Sequence, residues 1–353
     1  MIKNNKTYHD DVNINNTIKI REILETLPPF CKLFFRGIEN TTSTRTRLAY
    51  AYDLRVFFEF VKNSIPNYKS INITEYKLEL LNDITKQDIE EYLAYLSYYK
   101  NNDNKEYINL ERGKHRKLSS LRSFYNYYFK SEMIVKNTAA LVSLPKNHEK
   151  EIIRLDGDEI TRLLDAVEGG AELTKKQQEF HKKNKIRDLA LLTLLLGTGI
   201  RVSECVGLDI DDVDFINGGI KIKRKGGYES VVYFGGEVEI ALLDYLEQRE
   251  KIIPKTNHEN ALFLSMQNSR LTVRAVENLV KKYSRLITNL KNITPHKLRS
   301  TYGTNLYKET GDIYLVADVL GHKDVNTTRK HYAAIEDDRR RQAADIVKLR
   351  KED

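Results

Sequence analysis

Cysteine, tryptophan and long apolar runs are scarce in this 353-residue sequence. Tryptophan is absent, and the two cysteines, Cys31 and Cys205, are too far apart to build a disulfide framework or a cysteine-based zinc site. The longest apolar run, residues 189–196, is too short to cross a bilayer and predicts a buried helix. The polar N-terminus lacks the apolar core of a secretion signal. These absences argue against a disulfide-stapled or membrane-bound protein and predict a cytoplasmic location.

An excess of acidic residues is also missing. Lys and Arg total 58 against 50 Asp and Glu, which gives a formal net charge of +8. A basic balance suits a polyanionic partner, although many basic proteins bind no nucleic acid. The hydrophobic share of 41% and charged share of 31% indicate a globular protein, and the length predicts two domains.

Apolar residues at helical spacing predict a helical N-terminal domain over residues 17–140. The polar residues before it have no period and are expected to fray. A first helix over about residues 18–35 is expected to break at Pro28-Pro29. Three more helices are predicted: one with an apolar face at Tyr50, Leu54, Phe57, Phe58 and Val61, one capped by Thr85, and one over residues 113–130 with Leu118, Leu121, Tyr125 and Tyr128 facing inward.

Two groups of basic residues in this domain are predicted to contact DNA phosphates. Arg45 and Arg47 stand in the first turn of a helix capped by Ser43, where cations oppose the helix dipole and a phosphate would compensate. The second group lies on the helix over residues 113–130, outside its apolar stripe, and comprises Lys114, Arg116, Lys117 and Arg122. For both groups the alternative is an ordinary solvated basic surface.

Residues 144–150 are typical of a linker, and a second domain is predicted over residues 152–340. Its first helix is expected to begin at Asp156, with Glu159 as capping-box partner, and to stop at Gly169-Gly170. A buried helix over residues 187–196 is followed by a change to period two after Val213, which predicts paired strands joined by a hairpin. Further helices are predicted over residues 237–251 and 272–286, and the chain ends in a charged tail with few apolar anchors.

Side chains suited to phosphate chemistry lie between residues 295 and 332. His296 and Arg299 are three apart at a predicted helix start and so share a face, His322 follows a glycine, and Tyr332 comes ten residues later. Arginine forks hold phosphates, histidines move protons, and a tyrosyl oxygen can attack phosphorus. Each residue alone also has an ordinary interpretation, as a cap, a core polar group or a surface residue.

Two more candidates precede this stretch. Arg201 stands in a glycine turn, where Ser203 is expected to cap the next helix and Glu204 is close enough to support the guanidinium group. Lys225 is at the tip of the predicted hairpin, where two glycines permit a tight turn. Neither signal is specific alone, because arginines in turns and lysines in hairpins are most often solvated.

The ordered set of these residues resembles the tyrosine recombinase (phage integrase) family. The motifs are Thr198-Gly199-Ile200-Arg201-Val202-Ser203-Glu204, the hairpin Lys225-Gly226, His296-Lys297-Leu298-Arg299, Leu320-Gly321-His322, and Tyr332. They cover about residues 155–336, and the preceding helical domain is similar to the core-binding domain of the family. Residues 184–190, 224–227 and 294–299 look most similar to single-protein Xer recombinases of the XerS type.

The resemblance implies a role for each matching residue. Tyr332 would attack the scissile phosphodiester and leave a 3′-phosphotyrosyl link, while Arg201 and Arg299 would hold the non-bridging oxygens. Lys225 would protonate the leaving 5′-oxygen, His296 would assist proton transfer from the tyrosine, and His322 would hydrogen-bond the phosphate. Because arginines would carry the charge, the family chemistry implies no metal, no cofactor and no ATP.

The resemblance also implies an architecture and partners. It predicts a mainly α fold, in which a helical core-binding domain and an α+β catalytic domain with a small antiparallel sheet form a C-shaped clamp on DNA. The partners would be a double-stranded recombination site, a dimer per site and a tetramer on DNA, with residues 341–353 linking subunits. A septal DNA translocase is a candidate accessory partner, and no membrane partner is expected.

Three functions follow from this expectation. The first is site-specific recombination that resolves chromosome dimers, and its alternative is the integrase or excisionase of a mobile element. The third, from another class, is a DNA-binding regulator that does not cut. The complete set of catalytic residue types disfavours this regulator, because a protein that only binds has no need of both Tyr332 and Lys225.

The sequence departs from the family pattern at Ser300, where the family often has histidine, and this leaves the local packing open. Three rival tyrosines, Tyr302, Tyr307 and Tyr314, fall in a predicted buried helix or at its edge, which favours Tyr332 as the nucleophile. A zinc site formed by His296, His322 and His331 is the metal alternative, but it lacks cysteine ligands and regular spacing.

Overall fold

The computed structural model of the chain describes residues 7–101, 104–145, 153–224, 227–322 and 325. The chain divides into two compact units, with the division between residues 150 and 151. In the described ranges, none of the helices combines the length and the hydropathy that crossing a membrane requires.

The first unit is mainly helical. Its helices are α1 (Tyr8–Leu24), α2 (Cys31–Gly37), α3 (Thr44–Ser64), α4 (Leu80–Asp83), α5 (Lys86–Tyr95) and α6 (Glu111–Lys130). Strands β1 (Tyr99–Lys100) and β2 (Glu106–Tyr107) form a short antiparallel pair, which the sequence did not predict. Three 3-10 turns, at Pro66–Tyr68, Ile73–Glu75 and Thr138–Leu141, complete the unit.

Helix α1 differs from the prediction at its start. The residues before 17 were expected to fray, yet the helix begins at Tyr8 because Thr7 and Asp10 form a capping box, in which Asp10 N donates to Thr7 Oγ1 at 3.3 Å. The predicted break at Pro28-Pro29 is confirmed, since α1 ends before the prolines and α2 starts after them. The Ser43 and Thr85 caps are also confirmed.

Aromatic side chains fill the core of the first unit. Phe34 meets Phe124 edge to face with ring centroids 5.1 Å apart, and Phe57 meets Tyr92 in the same way at 5.3 Å. The predicted inward stripe of α6 is confirmed, because Leu118, Leu121, Tyr125 and Tyr128 are all buried. The core cluster draws its members from residues 20–144.

The second unit adds a small sheet to its helices. The elements are α7 (Gly157–Gly169), α8 (Lys175–Thr198), α9 (Val202–Gly207), β3 (Val213–Asp214), β4 (Gly219–Lys223), β5 (Glu229–Tyr233), α10 (Gly236–Glu250), α11 (Val273–Ile287), α12 (Pro295–Thr310) and α13 (Ile313–Leu320). The strands lie in the order β3-β4-β5 and are antiparallel, with Ile220 opposite Val232. The predicted mainly helical fold with a small antiparallel sheet is thus confirmed.

Helix α8 occupies the centre of the second unit and packs against α7, α10 and α12. It is more than twice as long as predicted, since it starts at Lys175 after a cap in which Thr174 and Gln177 exchange hydrogen bonds. Its residues from Ala190 to Leu195 are buried, which fixes its C-terminal end in the middle of the unit. The helix ends at Gly199, whose φ of 63° is the left-handed conformation that favours glycine.

Candidate active site

Arg201 occupies the N-cap position of α9, two residues after Gly199, the glycine that ends α8. Its backbone N–H donates to Glu204 Oε2 at 2.8 Å, and its guanidinium Nη1 donates to Glu204 Oε1 at 2.8 Å. The predicted support of Arg201 by Glu204 is therefore present. The predicted cap by Ser203 is wrong, because Ser203 lies inside the first turn and Glu204 accepts from the cap residue instead.

Arg299 lies on α12 and is almost completely buried, with 5% of its surface exposed. Its Nη1 donates to the carbonyl of Gly199 at 2.6 Å, at the end of α8, and its Nη2 donates to the carbonyl of Leu320 at the end of α13. Arg299 therefore joins the two helix ends that flank Arg201 and His322.

The C-terminal turn of α13 receives three arginine side chains on three consecutive carbonyl groups. Arg224 Nη2 donates to Val319 O at 2.9 Å, Arg299 Nη2 donates to Leu320 O, and Arg201 Nη2 donates to Gly321 O at 3.3 Å. Unpaired carbonyls and the negative end of the helix dipole make a helix C-terminus a natural acceptor for cations. The turn thus brings Arg201 and Arg299 together, although they lie 98 positions apart in the sequence.

Arg224 was missed by the sequence analysis, which considered only its neighbour Lys225. Its Nη1 is buried and has no hydrogen-bond acceptor among the described residues. Burial lowers the pKa of the Arg224 guanidinium, and repulsion from Arg201 adds to this effect, while attraction to Glu204 opposes it. The available signal was an arginine at the end of a predicted strand, next to the candidate residue Lys225.

Gly321 carries the turn that joins the three arginines to His322. Its φ is 61°, and a Cβ atom placed on it would clash with Arg224 Nη1. His322 follows it, half-buried, and its backbone N–H donates to Ala317 O at 2.8 Å. His296 is exposed in the first turn of α12, one helical turn before Arg299.

Two predicted catalytic residues, Lys225 and Tyr332, lie outside the described residues, as do His331 and the tail 341–353. The hairpin that contains Lys225 is described on both sides, where Arg224 N donates to Tyr228 O at 2.7 Å.

The rival tyrosines differ from one another in exposure. Tyr307 is buried, and Tyr302 packs on Gly199 with its pKa raised by burial. Tyr314 lies in the first turn of α13 and is 71% exposed, so burial does not exclude it as a rival.

The chemistry of this arrangement is that of an anion site. Three guanidinium groups and a histidine meet at one turn. The Arg201 side chain is 34% exposed, so a ligand can reach it. In the described part of the chain, no three His, Cys, Asp or Glu side chains are grouped so that they could hold a metal ion. Burial raises the pKa of the neighbouring Cys205 thiol to about 12, with the Glu204 charge adding to the effect.

The basic residues predicted at the start of α3 separate in the structure. Arg45 is exposed, whereas Arg47 is buried and its Nη1 donates to Glu39 Oε1 at 2.8 Å. The compensation expected from a bound phosphate therefore comes from Glu39 in the case of Arg47.

The basic residues of α6 separate in the same way. Lys114 Nζ donates to Ser97 Oγ at 2.6 Å, and Arg116 is half exposed. Lys117 is buried against Asp53, and Arg122 donates to the carbonyls of the Thr138–Leu141 turn and of Val142. The prediction that Lys117 lies outside the buried face is wrong, because Lys117 Nζ pairs with the buried Asp53 carboxylate, to which Ser120 Oγ also donates.

The chain is similar to curated recombinases along most of its length. It is 33% identical to tyrosine recombinase XerC of Caldanaerobacter subterraneus subsp. tengcongensis, over 95% of this chain and 92% of that protein. It is 29% identical to tyrosine recombinase XerS of Lactococcus lactis subsp. cremoris, over 89% of this chain and 93% of that protein.

Solved structures share the fold. XerH recombinase bound to palindromic difH substrate matches with a TM-score of 0.66 and 22% identity, over 94% of this chain and 89% of that one. The Tn1549 transposon integrase in complex with circular intermediate DNA matches with a TM-score of 0.61 and 19% identity, over 86% of this chain and 94% of that one. At these identities the likeness concerns the fold alone.

The sequence profile of the phage integrase family matches residues 153–339, which is more than half of the chain. That range contains every motif from Arg201 to Tyr332 and the turn at which the arginines meet. Together with the XerC relative, the match shows that the chain belongs to the phage integrase family and is a site-specific tyrosine recombinase.

Proposed function

We propose that the chain cuts and rejoins double-stranded DNA at a specific site through a 3′-phosphotyrosyl intermediate. The catalytic residues would be Arg201, Lys225, His296, Arg299, His322 and Tyr332. One observation carries the proposal, namely that Arg201 and Arg299 converge on the turn that precedes His322. Guanidinium groups held side by side suit the two non-bridging oxygens of one phosphate.

Each proposed step balances its atoms and protons. The Tyr332 oxygen attacks phosphorus and gives its proton to His296, while the bond from phosphorus to the 5′-oxygen breaks and Lys225 protonates that oxygen. Arg201 and Arg299 stabilise the negative charge that grows on the pentacoordinate phosphorus, and His322 hydrogen-bonds it. The tyrosyl ester replaces the broken diester, so attack by a 5′-hydroxyl can restore DNA without ATP.

Glu204 has a supporting part in this proposal. Its carboxylate is 3% exposed and accepts from both the backbone and the guanidinium of Arg201. A guanidinium group has five donors, so the contacts with Glu204 and Gly321 leave others for a phosphate. Glu204 would therefore fix the direction of Arg201 without occupying it fully.

The DNA contacts of the first unit can be narrowed by what each cation already binds. Arg45, Lys114 and Arg116 reach solvent and are retained as proposed contacts. Arg47 and Lys117 are buried against carboxylates, and Arg122 donates to backbone carbonyls. We therefore do not propose these three residues as DNA contacts. A cation that is already satisfied by the protein gains little from a phosphate.

The proposed assembly is a dimer at each DNA site and a tetramer during strand exchange, with residues 341–353 linking subunits. The XerH relative was solved as a complex with its difH substrate. The Xer names of the curated relatives favour chromosome dimer resolution as the biological task, with a septal DNA translocase as the proposed accessory partner. Integration or excision of a mobile element is the alternative.

Trapping on a nicked duplex tests the proposal. DNA recovered from covalent adducts in cells provides the target site. A nick beside the scissile phosphate lets the short fragment with the released 5′-hydroxyl dissociate, so that the strand cannot be rejoined. We expect an SDS-resistant adduct with the wild type and none with Tyr332→Phe, although that variant still binds the duplex. Tyr314→Phe is the matched control, because Tyr314 is the exposed rival tyrosine, and it should form the adduct.

The other outcomes are equally informative. An adduct with Tyr332→Phe would show that another tyrosine is the nucleophile. Specific binding by the wild type without any adduct would instead support the non-cutting regulator.

A further inference from the structure

A buried carboxylate in the first unit has no part in the proposed cleavage chemistry. Asp53 on α3 is 1% exposed, and its oxygens accept from three side chains of α6: Arg116 Nη1, Lys117 Nζ at 3.1 Å and Ser120 Oγ at 2.7 Å. A buried charge persists only when it is paired and hydrogen-bonded, and this group is both. Two cations for one carboxylate nevertheless exceed what burial requires.

The charges of the cluster do not cancel. The Lys117 side chain is 7% exposed and cannot reach a ligand, so it neutralises Asp53 inside the protein. The Arg116 side chain is 52% exposed, and the positive charge that Asp53 does not neutralise therefore lies on the Arg116 guanidinium. The cluster buries one ion pair and presents one uncompensated cation on the surface.

Arg116 is also fixed in direction. Its guanidinium group is planar, so the ion pair between Nη1 and Asp53 restricts the plane in which the remaining donors point. Its neighbours on α6 are different, because Lys114 meets only the Ser97 hydroxyl, and Arg112 is exposed and has no carboxylate partner in the described ranges. Outside the active site, a contact that only anchors the DNA backbone can be made from several directions, whereas reading a base edge needs a fork held in one plane.

We propose that Arg116 reads a guanine in the major groove of the target site and that Asp53 is the positioning residue that orients it. The inference rests on the proposed function, since it assumes that the first unit binds DNA. The guanidinium would donate to the O6 and N7 acceptors of one guanine, while Asp53 holds the opposite part of the group. Arg112 and Lys114 would add charge without sequence preference.

Charge-preserving variants test the proposal. The measured quantities are the dissociation constants for the target duplex and for an unrelated duplex, each over a series of salt concentrations. Arg116→Lys should lose discrimination between the two by roughly tenfold, as for one bidentate base contact. Its salt dependence should stay unchanged because the charge is kept. Arg112→Lys is the matched control and should keep its discrimination.

Asp53 is tested through a double-mutant cycle. Asp53→Asn should reduce discrimination as Arg116→Lys does, and combining the two should cost no more than either alone, because Asp53 acts through Arg116. Asp53→Asn leaves Lys117 buried and unpaired, so the variant Asp53→Asn with Lys117→Met serves as the second form, with thermal unfolding measured for each. A purely structural Asp53 would weaken binding to both duplexes equally.

Base replacement gives an independent measurement. Guanines of the target are replaced singly by 7-deazaguanine, which lacks the N7 acceptor. One replacement should weaken binding of the wild type and leave the affinity of Arg116→Lys unchanged. If Arg116→Lys keeps full discrimination, Arg116 is a phosphate contact and the proposal is wrong. Failure of the proposed function is separate, because it would appear as a wild type that forms no covalent adduct on the same site.

Discussion

Gly321 is the residue on which two separate constraints meet. Its backbone has the left-handed conformation, and the Arg224 guanidinium lies against the position of a Cβ atom. We expect Gly321→Ala to lower the free energy of unfolding by at least about 1–2 kcal/mol, the cost of left-handed backbone in a residue with Cβ. The measurement is the midpoint of urea unfolding.

Gly157→Ala provides the control for this substitution. Gly157 begins α7 with ordinary helical backbone, and nothing lies within 4 Å of a Cβ built on it. This variant should unfold at the wild-type midpoint or slightly above it, since alanine favours helix more than glycine. Equal midpoints for the two variants would contradict the assigned role of Gly321.

Single residues were predictable from the sequence when their partners were local. Glu204 was expected beside Arg201 because three positions separate them, and the capping pairs at Thr85 and Asp156 follow from the same short spacing. The burial of Lys117 and the ion pair of Arg116 were not foreseen because their partner, Asp53, lies more than 60 positions earlier. No pattern of apolar residues reveals which cation a distant carboxylate will bury.

At the scale of elements, arginine side chains repeatedly donate to backbone carbonyl groups at the ends of helices and in turns. Arg270 donates to Val206 O at 3.1 Å and Leu208 O at 2.7 Å after α9, and Arg249 donates to Ala261 O at 3.2 Å. Arg224, Arg299 and Arg201 do the same at α13. The contacts at the ends of α9 and α13 satisfy carbonyl groups that a helix leaves without internal partners.

Arg224 allows this pattern to be tested for its effect on the reaction. We expect Arg224→Ala to slow formation of the covalent adduct by about 10- to 100-fold, because small displacements of positioned groups cost that much. DNA affinity should change little, since its buried Nη1 and its bond to Val319 face the protein. Single-turnover trapping on the nicked duplex gives the rate.

Arg274→Ala is the corresponding control, because Arg274 is an exposed cation on α11. It should retain the wild-type rate. A rate for Arg224→Ala equal to that of this control would remove Arg224 from the positioning of the site.

Element boundaries were predictable where capping residues mark them. The ends of α7 and the start of α11 follow from Asp156, Gly170 and Thr272. The first half of α8 was missed because residues 175–186 are mostly polar, and an apolar period is absent. The start of α1 was missed for the same reason, although its Thr7–Asp10 capping box was present in the sequence.

For the whole molecule, the division into two units has a direct consequence for folding. The aromatic core of the first unit is assembled from residues 20–144 alone. We therefore expect a fragment of residues 1–150 to fold, with helical circular dichroism and a cooperative thermal transition. It should bind DNA in a salt-dependent way and form no covalent adduct, because it lacks every proposed catalytic residue.

A fragment without a cooperative transition would contradict this expectation. The variant Phe34→Ala in the same fragment is a suitable comparison, because Phe34 is fully buried at the centre of the aromatic core. It should lose about 3–5 kcal/mol of stability and melt well below the parent fragment.

Family membership and the mainly helical fold could be predicted from the sequence because ordered motifs carry them. The convergence of Arg201, Arg224 and Arg299 could not, since it depends on how α8, β4 and α12 pack around a helix of eight residues. Motif order gives the members of a site, and packing gives their mutual geometry.

The three carbonyls at the end of α13 also restrict how the chain can change in length. Each residue of an α-helix turns the backbone by about 100°, so a deletion of one residue within α13 would rotate all three acceptors away from their arginines at once. Substitutions on the outer surface of that helix leave the three carbonyl groups in register, whereas the insertion or deletion of one residue does not. The number of residues from Ile313 to Gly321 is therefore more constrained than their identity, and insertions or deletions in this span should be tolerated less well than substitutions.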